Sequence, residues 1–341
     1  MDIKFTRRGF IGTAAAVTTV STFSIRHARA AAPAFEYKYG TNVPVTHPLS
    51  ARALEAADKI LKESDGRFAL KVFPNNQLGG DSDMLSQVRS GALEFFSVSG
   101  VAGLSTLIPA GSMYGIGFAW PDYPTVWRAM DGELGALFRK QINSAGLFVM
   151  DRIWNSGFRQ ITTRSKPIVK PEDLAGLKIR VPVSTLWTSM FSALGASPSS
   201  INLSEVYSAL QTKVVDGQEN PLVTIDTAKF YEVQKYCALT NHMWDGYWFI
   251  GNRKAWERLP TDLKEIVSRN INDAALLQRT DVENLSNSLK DELQTKGLEF
   301  TDPDRSAFRE ALRKAGFYQE WKKRFGDQAW GVFEAAVGQL A

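Results

Sequence analysis

The chain has 341 residues, and its 40 basic and 36 acidic side chains give a formal net charge of +4 at pH 7. The first 30 residues hold five of the basic groups and one of the acidic groups, so the rest of the chain carries 35 of each. This balance argues against a nucleic-acid partner. A lone cysteine, Cys237, excludes an intrachain disulfide, and only two histidines after residue 30 argue against a histidine-built metal site.

The amino terminus has the layout of an export signal. Arg7-Arg8 lie in the run TRRGFIG, an apolar stretch follows from Phe10 to Phe23, and Ala28-Arg29-Ala30 offers a cleavage site between small residues. The apolar stretch is short for a membrane span, and no later apolar run approaches that length. We therefore expect residues 1–30 to be a twin-arginine (Tat) signal peptide and the mature chain to be periplasmic.

Strands and helices then alternate, which is typical of an α/β fold. Strands are predicted at residues 35–40, 68–73 and 93–98. The helix between the first two opens at Pro48 and stops at Gly66, and a second helix ends at Gly91. This β-α-β-α-β order places ligands at the carboxyl ends of the strands.

A second unit begins near Phe158, and the chain returns to the first unit through Trp248–Asn252. We expect lobe I to comprise residues 33–157 and 245–280, and lobe II residues 158–244 and 281–341. The strands predicted in the second unit are Gln160–Thr163, Lys178–Val181, Val214–Asp216 and Tyr236–Thr240.

The segment Asp262–Lys296 carries apolar residues at helical spacing, begins after Thr261, ends at Gly297 and contains no proline. A single helix of this length would span on the order of 50 Å. Two helices with a break near residues 270–273 are the alternative, and we expect one.

The run from Leu203 to Tyr236 is the most specific sequence signal. Asp216-Gly217 suits a turn, and Pro221 suits the first position of a helix, which makes Asn220 its predicted N-cap. An asparagine beside the free N–H groups of a helix start suits a small anion.

The part of this run that reads SEVYSALQTKVVDGQENP resembles the signature of solute-binding proteins of TRAP transporters, of the DctP type. The resemblance implies a two-lobed periplasmic binding protein of the α/β class, with a mixed β-sheet in each lobe and a long helix spanning both. It also implies a non-enzymatic receptor that binds an organic acid and delivers it to the small and large membrane subunits of a TRAP transporter.

Arg159, in GFRQITT, and Arg180, in KIRVP, are candidate carboxylate ligands because the planar guanidinium pairs bidentately with a carboxylate. Taken singly, each arginine is more often a surface charge or part of a structural ion pair. The resemblance implies that Arg180 makes the salt bridge to the ligand carboxylate. It implies that Arg159 supports that contact and that Asn220 hydrogen-bonds the ligand beside them.

In the first lobe, Asn42 matches a family position that faces ligand, and His47 is either a ligand contact or a capping or surface residue. Ser99 lies in Val98-Ser99-Gly100, where sialic-acid-binding relatives carry charge, and this difference counts against a sugar acid as the ligand. Three aromatic candidates complete the predicted site: Trp187, Trp244 and Tyr247. Together they predict an aromatic or apolar monocarboxylate ligand. A small keto or hydroxy acid, or a sugar acid, is the alternative.

Two other classes of function remain at this stage. A periplasmic enzyme lacks support because no nucleophile elbow or metal-binding spacing is present. A sensory protein that presents ligand to a membrane receptor is not distinguishable from a transport receptor by sequence. We expect no cofactor, no metal, no nucleic-acid partner and a monomeric chain.

Overall fold

The computed structural model describes residues 32–340, and the predicted signal peptide lies outside the described residues. The described part contains eleven strands and twelve α-helices. The strands are β1 Phe35–Gly40, β2 Phe68–Phe73, β3 Phe95–Ser99, β4 Leu147–Val149, β5 Trp154–Thr163, β6 Lys178–Val181, β7 Ser197–Ser200, β8 Gly217–Pro221, β9 Tyr236–Ala238, β10 Trp244–Asn252 and β11 Glu299–Thr301. The helices are α1 Pro48–Glu63, α2 Asp81–Ser90, α3 Tyr123–Met130, α4 Glu133–Ser144, α5 Thr185–Ala193, α6 Leu203–Gln211, α7 Leu222–Thr227, α8 Arg253–Glu257, α9 Thr261–Thr295, α10 Arg305–Lys314, α11 Phe317–Phe325 and α12 Asp327–Val337.

The strands form a mixed sheet with the order β2-β1-β3-β10-β5-β8-β6-β7. In its first half, β1 is parallel to β2 and β3; in its second half, β6 is parallel to β7 and β8. Strands β5 and β10 are antiparallel to their neighbours and connect the halves. Residues at or just beyond the carboxyl ends of β1, β3 and β6 line one cavity, at the strand ends where ligands of open α/β sheets bind.

The long helix α9 is continuous over its 35 residues, as the uninterrupted apolar periodicity predicts. Its first half packs through Leu263, Val267 and Ile271 into the core beneath β1 and β2. Its second half packs through Leu289 and Leu293 into the core around α7. One helix therefore supports both halves of the sheet. Pro260, rather than Thr261, occupies its N-cap position.

The strand and helix predicted around Asn220 are wrong in position. We expected a strand at Val214–Asp216 and a helix capped by Asn220, but the strand is β8, Gly217–Pro221, and Pro221 is the N-cap residue of α7. Residues of β8 pair along β5, with Asn220 opposite Gln160. Pairing in the sheet overrides the local capping preference of asparagine, because it satisfies the backbone groups directly.

Candidate functional site

A small cavity lies at the strand ends where the two halves of the sheet meet. Its volume is about 30 Å³, and it shares Asp81, Ala102, Arg180 and Pro182 with an adjoining cavity of about 170 Å³. The smaller cavity is lined by Asn42, Asp81, Ser99, Ala102, Arg159, Arg180, Pro182, Leu203, Asn220, Asp245 and Tyr247. Six of the nine residues predicted from the sequence thus meet at one place: Asn42, Ser99, Arg159, Arg180, Asn220 and Tyr247.

Arg180 presents an unsatisfied guanidinium to this cavity. It lies on β6 and is 2% exposed, with Nε donating to the carbonyl of Ile201 at 2.8 Å. Its Nη1 has no hydrogen-bond partner among residues 32–340. Burial lowers the pKa of Arg180 to about 10, which still leaves the side chain charged at neutral pH. A buried cation with a free donor nitrogen is a binding group for an anion.

Arg159 lies beside it but is engaged in an ion pair. Its Nη2 donates to Oε1 of Glu219 at 2.8 Å and to Oδ1 of Asn220 at 3.0 Å, and its Nε pairs with the second carboxylate oxygen of Glu219. The guanidinium lies 4.8 Å from the ring centre of Trp187. Arg159 therefore holds Asn220 in place and has less hydrogen-bonding capacity left for a ligand than Arg180 has.

Glu219 is fully buried and is shared between two bases. His242 Nε2 lies 3.1 Å from Oε2 of Glu219, and His242 Nδ1 lies 2.8 Å from Thr240 Oγ1. Burial raises the pKa of Glu219, but the charge of Arg159 and the hydrogen bond with His242 outweigh it and hold the pKa below its usual range. The Arg159–Glu219 pair is thus ionised and rigid beneath the cavity.

The first half of the sheet contributes acceptors. Asn42, just beyond β1, donates through Nδ2 to Oδ2 of Asp81 at 3.1 Å. The Oδ1 atoms of both side chains are buried, with no hydrogen-bond partner in the described part of the chain. Burial raises the pKa of Asp81. Asp81 was not predicted from the sequence, although an acid after Gly79-Gly80, in the first turn of a helix, is a usable signal.

Asp245 is a second charged residue of the cavity that was not predicted from the sequence. Its Oδ2 accepts from Ser99 Oγ at 2.8 Å, its Oδ1 accepts from the Gly246 amide at 2.9 Å, and Arg159 Nη1 lies 3.7 Å away. Ser99 pairs with Tyr247 across β3 and β10, so three polar side chains line one side of the cavity. Burial raises the pKa of Asp245 to about 6.

Three predicted site residues do not line this cavity. His47 is fully buried as the N-cap of α1, with Nδ1 accepting from the Leu49 amide at 3.1 Å, and burial lowers its pKa to about 3. Trp187 is buried beneath Arg159. Trp244 donates through Nε1 to Asn155 and packs against other rings in the core. Both tryptophans are therefore core residues. The flanking sequence did not show this, because it does not reveal which face of an element a side chain occupies.

Within residues 32–340, no group of three or more His, Cys, Asp and Glu side chains is arranged to hold a metal ion. No helix in the same part of the chain is both long and apolar enough to cross a membrane.

Comparison with known proteins identifies the family. The family model described as bacterial extracellular solute-binding protein, family 7 (DctP), matches residues 39–323. The chain therefore belongs to the DctP family of bacterial extracellular solute-binding proteins, as the SEVYSALQTKVVDGQENP run predicts.

Relatives and solved structures agree with this assignment. The sialic acid-binding periplasmic protein SiaP of Vibrio cholerae is 31% identical over 90% of this chain and 95% of its own length. An uncharacterized protein of Sinorhizobium fredii is 31% identical over 91% of this chain, which spans 57% of that relative. The sugar acid binding protein DctPAm from Advenella mimigardefordensis, in complex with galactonate, superposes with a TM-score of 0.85 at 29% identity. The match covers 89% of this chain and 98% of DctPAm. The predicted two-lobed α/β fold class is confirmed.

Proposed function

We propose that this chain is a periplasmic receptor that captures a small hydroxylated monocarboxylate and delivers it to the membrane subunits of a TRAP transporter. The observation that carries the proposal is the set of unsatisfied buried groups in one cavity: Nη1 of Arg180, Oδ1 of Asp81 and Oδ1 of Asn42. Buried polar atoms in native proteins are nearly always hydrogen-bonded. A ligand with one carboxylate and neighbouring hydroxyl groups satisfies all three.

The unsatisfied buried groups also favour one of the two ligand classes that the sequence left open. Of the three aromatic candidates, only Tyr247 lines the cavity, so the support for an aromatic or apolar acid is reduced. Such an acid would leave the acceptors of Asp81 and Asn42 unpaired, at a cost of about 1–3 kcal/mol for each group. We therefore propose a hydroxy acid or sugar acid. Galactonate, bound by DctPAm, belongs to this class.

A thermal-shift screen tests this function. A ligand present at 100 times its Kd stabilises the folded state by about 2.7 kcal/mol, which a melting curve detects readily. We expect galactonate, erythronate or lactate to raise the melting temperature, and benzoate and phenylacetate to leave it unchanged. A response confined to the aromatic acids would overturn the proposed class.

The matched variants are Arg180→Ala and Lys178→Ala. Both positions lie on β6, but Arg180 is buried in the cavity and Lys178 is exposed. The Arg180→Ala variant should lose the thermal shift, and the Lys178→Ala variant should keep it. A shift that survives in Arg180→Ala would show that the acid binds elsewhere.

A further inference from the structure

Two arginines and two aspartates line the cavity, and Glu219 lies behind Arg159, so acidic groups outnumber basic groups at the site by three to two. Arg159 and Glu219 compensate each other through two short contacts. The remaining charged residues that line the cavity are Arg180, Asp81 and Asp245. An anionic ligand therefore brings a third negative charge to a space with one uncompensated cation. Like charges held close together in a buried site are not all ionised, and one of them takes a proton.

Asp245 is the more deeply buried of the two aspartates that line the cavity. It is 1% exposed, whereas Asp81 is partly exposed. Charged or titratable groups face Asp245 from each neighbouring element: Arg159 on β5, Glu219 on β8, Tyr247 on β10 itself and Tyr114 in the short 3₁₀ helix Pro109–Gly115. Arg180 and Asp81 line the same cavity. The cation paired with Asp245 is Arg159, whose Nη1 lies 3.7 Å from Oδ2 of Asp245. Arg159 also pairs with Glu219, so its charge is shared between the two carboxylates.

We propose that Asp245 takes up one proton when an anionic ligand enters the cavity, so that solute capture by this protein is coupled to pH. This inference rests on the proposed function, because it requires that the ligand be a carboxylate.

The hydrogen bonds around Asp245 provide a place for the proton. In the ionised state Ser99 Oγ donates to Oδ2 of Asp245 and accepts from the Ala102 amide. When a proton from solvent forms an O–H bond at Oδ2, that group donates to Ser99 Oγ and the bond reverses its direction. The hydroxyl group of Ser99 keeps its hydrogen and rotates, so that it can donate into the cavity, which Ser99 also lines. Protonation thus removes one negative charge and supplies one donor for the carboxylate of the ligand.

The direction of the pH dependence follows from the pKa of Asp245. Burial raises it to about 6 before any ligand charge is added, and a bound anion raises it further. At a pH between the pKa of Asp245 in the free protein and its pKa in the complex, the complex holds more protons than the free protein. The affinity therefore increases as the pH falls through this range. The limit for one proton is about tenfold in Kd per pH unit. Below the pKa of the free protein the dependence on Asp245 ends, because the group is then protonated in both states.

Calorimetry measures the proton directly. The full mature chain is titrated with galactonate at pH 7.5 in phosphate and in Tris, which differ in ionisation enthalpy, and the difference in observed heat gives the number of protons taken up. If galactonate gives no thermal shift, erythronate and lactate replace it in turn. We expect an uptake of roughly 0.5 to 1 proton at pH 7.5 and, correspondingly, a Kd that falls by about tenfold or more from pH 8 to pH 6.

Two variants locate the proton. Asp245→Asn should bind with little proton uptake and with a Kd nearly independent of pH, because the amide imitates the protonated acid. Asp151→Asn, at an exposed acid, should behave as the unaltered chain.

The possible failures are distinguishable. Binding by the unaltered chain without proton uptake overturns this inference and leaves the proposed function intact, whether or not the variant folds. Uptake that persists in a folded Asp245→Asn variant overturns the assignment to Asp245. A lack of binding by every hydroxy acid overturns the proposed function and the inference with it.

Discussion

Replacing Arg180 by alanine should abolish ligand binding while leaving the free protein close to its normal stability. The guanidinium is 2% exposed, keeps Nη1 unsatisfied and makes one hydrogen bond to a backbone carbonyl. Removing one partner of a buried charge pair costs about 3–5 kcal/mol. The affinity should therefore fall by roughly two to four orders of magnitude.

The Arg180→Ala substitution should change the stability of the free protein much less than it changes the affinity, because burial of the charged arginine is itself unfavourable. Burial lowers its pKa to about 10, which corresponds to about 3 kcal/mol against the charged form in the folded state. Losing the buried side chain costs a similar amount through packing, about 2–5 kcal/mol. The two effects offset each other, so we expect the free energy of unfolding to change by less than about 2 kcal/mol.

Calorimetry with the best acid from the screen, combined with urea unfolding of the free protein, separates the two quantities. Arg180→Lys should not restore binding, because a lysine point charge does not reproduce the bidentate geometry of a guanidinium. Near-normal affinity in Arg180→Ala would refute the assignment of the clamp. A loss of stability as large as the loss of binding energy would refute the argument that this arginine serves the ligand rather than the fold.

The other predictions concern the ion pair and export. Arg159→Ala should destabilise the free protein by about 3–5 kcal/mol, since Glu219 would remain buried without its cationic partner and with only the contact to His242. Arg67→Ala, at the exposed pair with Asp262, should cost less than about 1 kcal/mol in the same urea assay. Equal effects of the two variants would contradict the structural role given to the Arg159–Glu219 pair. Replacing Arg7-Arg8 by Lys-Lys should leave precursor in the cytoplasm if the signal is of the Tat type; normal periplasmic delivery in a fractionation experiment would contradict this.

Regular elements with a strong period were predictable from the sequence. The bounds of β1, β2 and β6 agree with the predicted strands, and α9 is the single helix that its apolar period indicates. These segments are specified locally, by alternation or by helical spacing with a clear stop. Strand β8 was not predictable in this way, because the sequence GQENP has low β propensity and pairs only through its neighbours β5 and β6.

The residues of the candidate cavity were predictable from the sequence only where they lie in a family motif. Arg159, Arg180 and Asn220 lie in family motifs and meet at the cavity. Asp245 belongs to no motif that signals binding, and the position of Asp81 after Gly79-Gly80 is a weak signal. Both aspartates line the cavity because α2 begins at its edge and β10 runs along it. Conversely, Trp187 and Trp244 follow conspicuous motifs but point into the core.

The most direct test of the central claim is a crystal structure of the protein with the acid that binds most tightly in the screen. We predict that the ligand carboxylate lies within about 2.7–3.0 Å of Nη1 of Arg180 and that a ligand hydroxyl donates to Oδ1 of Asp81. A carboxylate paired with another cation, or bound outside this cavity, would contradict the account.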